Sequence, residues 1–356
     1  MDKVREKNQF LSMPFAFTTL LILSLVGGLR NPELTFDFFY YCARHFNMAL
    51  SVDSLSDFIE YVGGGEWAYS ILVYTTAAFS NDYHAVMFVL TFFTMGIALW
   101  AAMRTSDKAP VFITFTLFLL FNYVNSFNII RQSLAVSSIW LAFTCYKGRN
   151  GGLVFWLLAI VSFGFHKSSI AAILVIWAAN YFSYCKNPRK VLALVTIAAI
   201  VGSLSLQILI GFLAQSIPMF ARYMVYATGD STVGWGRPTI NKSLVILTVV
   251  SIAVSLFALR SKIIDFRSFF VCIVLIYALA CGTSFGRFTQ SATRICLFFV
   301  PLVCVKMAEI FHSRSGNVSV GTKTICQVVL VLAFIAFCIN GVIHAGYFYS
   351  SRILGF

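Results

Sequence analysis

Residues 84–103 have the sequence HAVMFVLTFFTMGIALWAAM, a stretch without Asp, Glu, Lys or Arg. An α-helix needs about 20 mostly apolar residues to cross the hydrocarbon core of a bilayer. Basic residues follow at once, at Arg104 and Lys108, as is common where a span leaves the membrane. This stretch therefore predicts a transmembrane helix.

Similar apolar stretches flank this one along the whole chain. The first, residues 14–29, has no small-residue cleavage site of the A-x-A kind after it, so we predict a retained span and not a signal peptide. Short polar gaps separate the stretches. In all we predict about eleven spans, at residues 14–29, 84–103, 110–125, 128–146, 152–165, 168–184, 191–213, 242–259, 268–283, 293–311 and 324–346.

The composition excludes a soluble globular protein. Of the 356 residues, 59% are hydrophobic and 11% are charged, so the apolar side chains exceed what one soluble core could bury. A transmembrane β-barrel would show short alternating segments instead of long apolar stretches. We predict an all-α polytopic membrane helix bundle, with residues 1–356 forming a single integral membrane domain.

The cysteines indicate neither a disulfide framework nor a metal site. There are nine, most of them lie inside apolar stretches, and no CxxC pair occurs. No cluster of acidic residues outside the spans has the spacing of metal ligands. We therefore predict no metal ion and no other cofactor.

The positive charge indicates the orientation of the chain in the membrane. A net charge of +13 would suggest nucleic acid as the partner of a soluble protein, but here the Lys and Arg residues collect in loops on one side of the predicted spans. We place that side and the N-terminus in the cytoplasm and predict no nucleic acid partner. Outward segments then lie near 30–83, which includes an amphipathic surface helix with Asp53, Asp57 and Glu60, and near 214–241.

This orientation depends on residues 67–80, which are apolar but short. At about 14 residues the segment is too short for an ordinary span and is typical of a re-entrant or interfacial helix. If it spanned the membrane, the basic loops that follow would become external, against the usual distribution of positive charge. We therefore predict that it does not span.

Arginine is enriched on the outward side. The cytoplasmic positions mix Lys and Arg, whereas the outward positions contain two Lys, at 167 and 242, and eight Arg, at 30, 44, 131, 222, 237, 287, 294 and 352. Guanidinium is planar and offers paired donors that match phosphate or carboxylate oxygens, which an ammonium group does not. The outward face is therefore predicted to hold an anion.

The alternative is that these arginines only reach the lipid headgroups from the ends of helices. That interpretation suits Arg30, Arg44 and Arg352. It suits Arg131 and Arg294 less well, because each lies at an apolar helix start with no acidic residue nearby in sequence. An ionisable group at that depth is costly unless it faces a polar cavity or a partner.

Two motifs occur at the outward ends of spans. Residues 127–135 (FNIIRQSLA) open one span, and residues 164–169 (GFHKSS) interrupt an apolar run. With these motifs the sequence resembles the EpsG and Wzy type of bacterial polysaccharide polymerases. The resemblance extends over most of the chain and includes Arg30, Asp37 and Tyr40 as an early group, Glu66 and Tyr69 as a second, and Arg287 and Arg294 as a late pair.

The resemblance implies a GT-C-like bundle in the bacterial inner membrane with its active site on the periplasmic side. It implies transfer of an undecaprenyl-diphosphate-linked glycan onto a sugar hydroxyl of another lipid-linked repeat unit. A chain-length regulator and membrane lipids are further expected partners. The expected residues are Glu66 and His166 for catalysis; Arg131, Arg222, Arg287 and Arg294 for the diphosphate; and Asp37, Tyr40, Tyr69, Gln132, Trp235 and Arg237 for the glycan.

Ordinary structural roles remain open for several of these residues. A lone histidine at a helix end, such as His166, more often binds a carbonyl than takes part in catalysis. Glu66 could cap the helix that follows Gly63-Gly64-Gly65. The loop that contains Trp235 and Arg237 could be a simple connection.

Other functions also remain open at this stage. A ligase that moves glycan to the lipid A core would use the same diphosphate chemistry. A transporter or flippase of an anionic substrate would show more polar residues near the membrane midplane, and a structural scaffold would not need the outward arginines. No glycine-rich phosphate loop, zinc spacing or nucleophile elbow occurs.

Overall fold

A computed structural model describes most of the first half of the chain. The described ranges are 2–34, 38–63, 65–107, 109–148, 150–183 and 297–312, together with residues 194, 201, 211, 212, 215, 216, 295, 324, 328, 331 and 335. The chain divides into two compact units. The first consists of residues 1–146, 152–170 and 346–356, and the second of residues 147–151 and 171–345.

The described residues form helices, which we number α1 to α10 in chain order, and their only β-structure is an isolated bridge between Lys147 and Gly151. A short 3₁₀ turn, Pro32–Leu34, and a π-helix, Phe38–Cys42, follow α1. The α-helices are α1 Asp2–Gly28, α2 Ala43–Ala49, α3 Leu55–Tyr61, α4 Trp67–Phe79, α5 Tyr83–Arg104, α6 Val111–Asn128, α7 Ile130–Thr144, α8 Leu153–Phe165, α9 Ser169–Ser183 and α10 Val300–His312.

One described helix, α5, is long and apolar enough to cross a membrane on length and composition alone. Shorter apolar helices cover Met13–Gly28, Val111–Tyr123, Leu153–Phe165 and Ser169–Tyr181. The all-helical prediction is confirmed for the described part of the chain, whereas the number of eleven spans stays a prediction. Four of the predicted spans lie outside the continuously described ranges, at 191–213, 242–259, 268–283 and 324–346.

Helix α5 lies at the centre of the first unit. Helices α1, α6 and α7 pack against it, and α8 packs against α7. Two side chains hold α1 to its neighbours: His84 Nδ1 donates to the Gly28 carbonyl at 2.7 Å, and the Tyr123 hydroxyl donates to the Leu23 carbonyl at 2.6 Å. Such interhelical hydrogen bonds are a common way to hold apolar helices together in lipid.

The segment between α1 and α5 is folded into short helices at one end of the first unit. Ser54 caps the start of helix α3, because its hydroxyl accepts from the Asp57 amide at 3.2 Å, the usual way to satisfy an N-terminal amide. It buries Phe58 fully and exposes Asp57 and Glu60. The amphipathic helix is thus observed with Asp57 and Glu60 on its exposed face, whereas the predicted Asp53 lies before the helix. Helix α4 has 13 residues, which agrees with the predicted short segment.

Three helix boundaries meet at the same end of the first unit. They are the start of α4 after Glu66, the break between α6 and α7 at Ile129, and the end of α8 at His166. The Ser162 hydroxyl donates to the Ala135 carbonyl at 2.9 Å and so fixes the last turn of α8 beside the first turns of α7. Side chains at these three boundaries can therefore contact one another.

Candidate active site

The centre of the site is an ion pair between Glu66 and Arg131. Glu66 is the residue before α4 and Arg131 is the second residue of α7, 65 positions later. Arg131 Nη1 donates to Glu66 Oε2 at 2.7 Å. The side chains are 19% and 12% exposed, for Arg131 and Glu66 respectively, so the pair is largely withdrawn from solvent but still reachable. The sequence showed no acidic residue near Arg131, and the fold supplies one.

Two aromatic rings fix the Arg131 guanidinium. Its central carbon lies over the Tyr41 ring, 5.0 Å from the ring centroid, and over the Tyr69 ring at 5.8 Å. Tyr69 is fully buried, in the first turn of α4, whereas Tyr41 is on the π-helix and is 43% exposed. Cation–π contacts of this kind orient the guanidinium plane, and they leave its N–H donors pointing along that plane.

His45 completes this cluster, and we did not predict it from the sequence. It lies on α2 with Nδ1 3.3 Å from the Tyr69 hydroxyl. Burial, and then the positive charges of Arg131 and Arg44, lower the pKa of His45 to about 4. His45 is therefore neutral at physiological pH. The one signal in the sequence is a histidine beside an arginine, Arg44, shortly after the run Phe38-Phe39-Tyr40-Tyr41.

The low pKa of His45 predicts acid sensitivity of the fold. In the unfolded chain His45 has its ordinary pKa of 6.5, whereas in the folded protein the pKa is about 4. Between these values the unfolded state binds more protons, so stability falls as the pH drops from about 6.5 to about 4. Thermal unfolding of purified protein in detergent should show this loss in the wild type and a smaller one in His45→Asn. Equal losses in both proteins would contradict it.

The end of α8 packs onto the residues that flank Glu66. A Cβ atom on Gly164 would lie 2.5 Å from the Trp67 indole, and a Cβ atom on Gly65 would overlap the side chain of Lys167. At Gly164 the rigid indole leaves room for glycine alone, whereas at Gly65 a larger residue would require the flexible Lys167 side chain to move. The predicted motif of residues 164–169 is thus brought to the Glu66 turn, with the Lys167 chain lying across Gly65.

His166 is held in a defined tautomer at the end of α8. Its Nδ1 accepts from the Ser168 backbone amide at 3.1 Å and lies 2.9 Å from the Ser168 hydroxyl. Because a backbone amide can only donate, Nδ1 is the unprotonated nitrogen, and the neutral ring carries its proton on Nε2. His166 in this state offers a donor at Nε2 and not a base.

Three of the residues predicted to contact the glycan are described, and only one of them is exposed. Tyr40 is 57% exposed, next to Tyr41. Tyr69 is fully buried and Gln132 is 1% exposed, so the geometry does not support direct glycan contact by these two, and Tyr69 acts on Arg131 instead. The other predicted site residues lie outside the described residues: Asp37, Arg222, Trp235, Arg237, Arg287 and Arg294.

Arg30 differs from its sequence interpretation. It is 3% exposed, donates from Nη1 to the Gly27 carbonyl at 2.7 Å and lies over the Phe127 ring at 4.3 Å. An arginine that reaches the lipid headgroups would expose its guanidinium, so that interpretation is wrong for Arg30. Its packing instead links the end of α1 to the end of α6.

In the part of the chain that the structure describes, no group of three or more His, Cys, Asp or Glu side chains could hold a metal ion. The positive charge of the described site comes from Arg131, Arg44 and Lys167, and its acceptors are Glu66 and neutral His45. Such a set can bind an anion by fixed donors and can accept a proton at a carboxylate oxygen.

No curated protein and no solved structure matches the chain. A family model does match, the one described as the EpsG family, and the match runs from residue 13 to residue 350. Both described motifs, the start of α7 and the end of α8, lie inside it. This membership supports a membrane glycosyltransferase-like polymerase in general, and a role in membrane polysaccharide biosynthesis. The resemblance found from the motifs is thus confirmed, and the chain belongs to the EpsG family.

Proposed function

We propose that the protein is a polysaccharide polymerase of the bacterial inner membrane. It transfers a glycan from undecaprenyl diphosphate onto a sugar hydroxyl of a second lipid-linked repeat unit, of O-antigen or a similar capsular or exopolysaccharide. The observation that carries this proposal is Arg131, an arginine oriented by the rings of Tyr41 and Tyr69 beside the carboxylate of Glu66. An oriented cation next to a proton acceptor is what transfer from a diphosphate requires.

In the proposed reaction the acceptor hydroxyl oxygen forms a bond to C1 of the donor sugar. The bond from C1 to the diphosphate oxygen breaks, and undecaprenyl diphosphate leaves with the electron pair. Arg131 stabilises the charge that develops on the leaving diphosphate, because its donors are already fixed in direction. Arg222, Arg287 and Arg294 are proposed as further diphosphate ligands, from the part of the chain outside the described ranges.

Glu66 is proposed as the group that takes the proton of the acceptor hydroxyl. One of its oxygens, Oε2, accepts from Arg131, and a carboxylate has further acceptor positions on both oxygens. His166 was the other expected candidate, but its Nδ1 is already an acceptor for Ser168. We propose that His166 donates from Nε2 to substrate oxygens.

The side of the membrane on which the active site lies is proposed from the positions of the site residues. The residues of the site belong to the segment 30–83 and to the boundaries at 129–131 and 166–167, all of which the charge distribution predicts to be outward. The active site is therefore proposed to face the periplasm, where a chain-length regulator could act on the same growing chain. Exposed Tyr40 is proposed to stack on a sugar ring.

The test of this function is a polymerisation assay with purified full-length protein and synthetic repeat units linked to undecaprenyl diphosphate. We expect a ladder of products that grow by one repeat unit, and the same ladder in the presence of EDTA, because arginines supply the positive charge at the diphosphate. Release of free glycan without chain growth would contradict polymerisation. Loss of the ladder with EDTA and its return with magnesium would contradict the metal-independent reaction.

A further inference from the structure

The Arg131 guanidinium can bind an anion only along its own plane. The Tyr41 and Tyr69 rings lie against the group, 5.0 Å and 5.8 Å from its carbon, and guanidinium hydrogens all point outward in the plane. Within that plane Nη1 already donates to Glu66 Oε2 at 2.7 Å. An anion that approaches this edge of Arg131 therefore meets the Glu66 carboxylate first.

Both anions cannot share this edge at low cost. Arg131 carries one positive charge, and its side chain is 19% exposed, so repulsion between a carboxylate and a phosphate group there is only partly screened by water. A diphosphate has more negative charge than a carboxylate and more acceptor oxygens, and it matches the guanidinium fork two oxygens at a time. Diphosphate should therefore displace the carboxylate from Nη1.

The Glu66 carboxylate is placed so that it can move away from Arg131 while helix α4 stays folded. It directly precedes α4, and its side chain makes no capping hydrogen bond to that helix. Its backbone carbonyl, not its carboxylate, accepts the first α4 bonds, from the Ser70 amide at 3.0 Å and the Ser70 hydroxyl at 3.1 Å. The Lys167 side chain also lies close to this turn, across Gly65.

From this geometry we propose that Glu66 occupies the diphosphate position on Arg131 and that the two anions exchange there. Binding of the lipid diphosphate moves the carboxylate off Nη1, and the released carboxylate then takes the proton of the acceptor hydroxyl. The base is thus set free only when a donor is present. This inference rests on the proposed function, in which Arg131 binds the diphosphate.

The exchange is tested by the affinity of the full-length protein for farnesyl diphosphate, a soluble prenyl diphosphate, measured by calorimetry in detergent. Glu66→Gln keeps the size of the side chain and removes the competing charge, so we expect binding to become roughly tenfold tighter. The matched control is Glu60→Gln, because Glu60 is exposed on α3 and also carries one negative charge in the 30–83 segment. We expect its affinity to change by less than about twofold.

The Arg131→Lys variant distinguishes the exchange of the two anions from the binding of the diphosphate by Arg131. Tighter binding by Glu66→Gln together with weaker binding by Arg131→Lys supports the exchange. Unchanged or weaker binding by Glu66→Gln, with weaker binding by Arg131→Lys, overturns the exchange and leaves the diphosphate site intact. Full affinity in Arg131→Lys overturns the proposed role of Arg131 itself.

A second measurement needs no variant. In the wild-type protein, farnesyl diphosphate should increase the reaction of Glu66 with a carboxyl-directed carbodiimide, read by mass spectrometry of the Glu66 peptide, while the labelling of Glu60 stays constant. Protection of Glu66 by the ligand, or no change, would overturn the exchange even if Glu66→Gln fails to fold.

Discussion

Replacing Arg131 with lysine should reduce polymer formation roughly ten- to a hundredfold, because a charge-assisted hydrogen bond contributes about 1.5–3 kcal/mol. Lysine keeps the positive charge but loses the planar fork that can hold two oxygens. It also loses the stacking of a flat cation on the Tyr41 and Tyr69 rings. Insertion and abundance should be close to those of the wild type, since a long cationic side chain is retained.

The measurement is the rate of ladder formation at matched protein levels. Arg44 is a poor control, because its Nε donates to the Tyr61 hydroxyl at 2.9 Å and its charge acts on His45. Arg104→Lys is better matched: Arg104 ends α5, forms one hydrogen bond to the Thr144 hydroxyl and lies outside the site. The same change at Arg287 and Arg294 tests their proposed roles. Full activity in the lysine variants of Arg131, Arg287 and Arg294 would mean that the diphosphate binds elsewhere.

Much of the helical pattern could be predicted from hydropathy because lipid leaves few choices. A chain in the bilayer must satisfy its backbone polar groups internally, so each long apolar stretch becomes a helix. The stretch 152–165 is observed as Leu153–Phe165, and 84–103 as Tyr83–Arg104. The predicted span 293–311 contains α10, Val300–His312, in which Pro301 suits the first turn because it needs no amide partner; the predicted start at residue 293 lies outside the described residues.

The contacts that make the site could not be predicted in this way. Glu66 and Arg131 are 65 residues apart, and nothing in either local sequence indicates the other. Their contact depends on α4 packing against α8, which in turn depends on the absence of a side chain at Gly164 beneath Trp67. Long-range packing of this kind leaves no periodic signal in the sequence.

Burial was a second source of error at the level of single residues. The resemblance implied that Tyr69 and Gln132 contact the glycan, but the fold buries both. His45 was not predicted at all, because a histidine beside an arginine is too weak a signal to indicate a site. Its role depends on the Tyr69 hydroxyl and on two arginines that approach it only in the folded chain. The residue type alone therefore indicated the arginines of the site, but not the side chains that contact them in the fold.

Replacing Glu66 with glutamine should have the largest effect on catalysis, a loss of roughly a hundredfold to ten-thousandfold in the rate of chain growth, which is the usual contribution of a positioned general base. Glutamine fills the same space and can still accept from Arg131 through its carbonyl oxygen, but it cannot take a proton at neutral pH. The rate of ladder formation with saturating lipid-linked donor is the quantity to measure. Glu60→Gln, with its carboxylate exposed on α3, should retain full activity.

The rate of Glu66→Gln should be compared with the affinity of the same variant for farnesyl diphosphate. If Glu66 only held Arg131 in place, its removal would loosen Arg131, and both affinity and rate would fall. If Glu66 is a base that shares Arg131 with the donor, the affinity rises while the rate falls, because one charge both competes for the guanidinium and accepts the proton. A rate near that of the wild type in Glu66→Gln would mean that another residue acts as the base. His45 would then be the first candidate, since it is neutral and lies next to the Tyr69 hydroxyl.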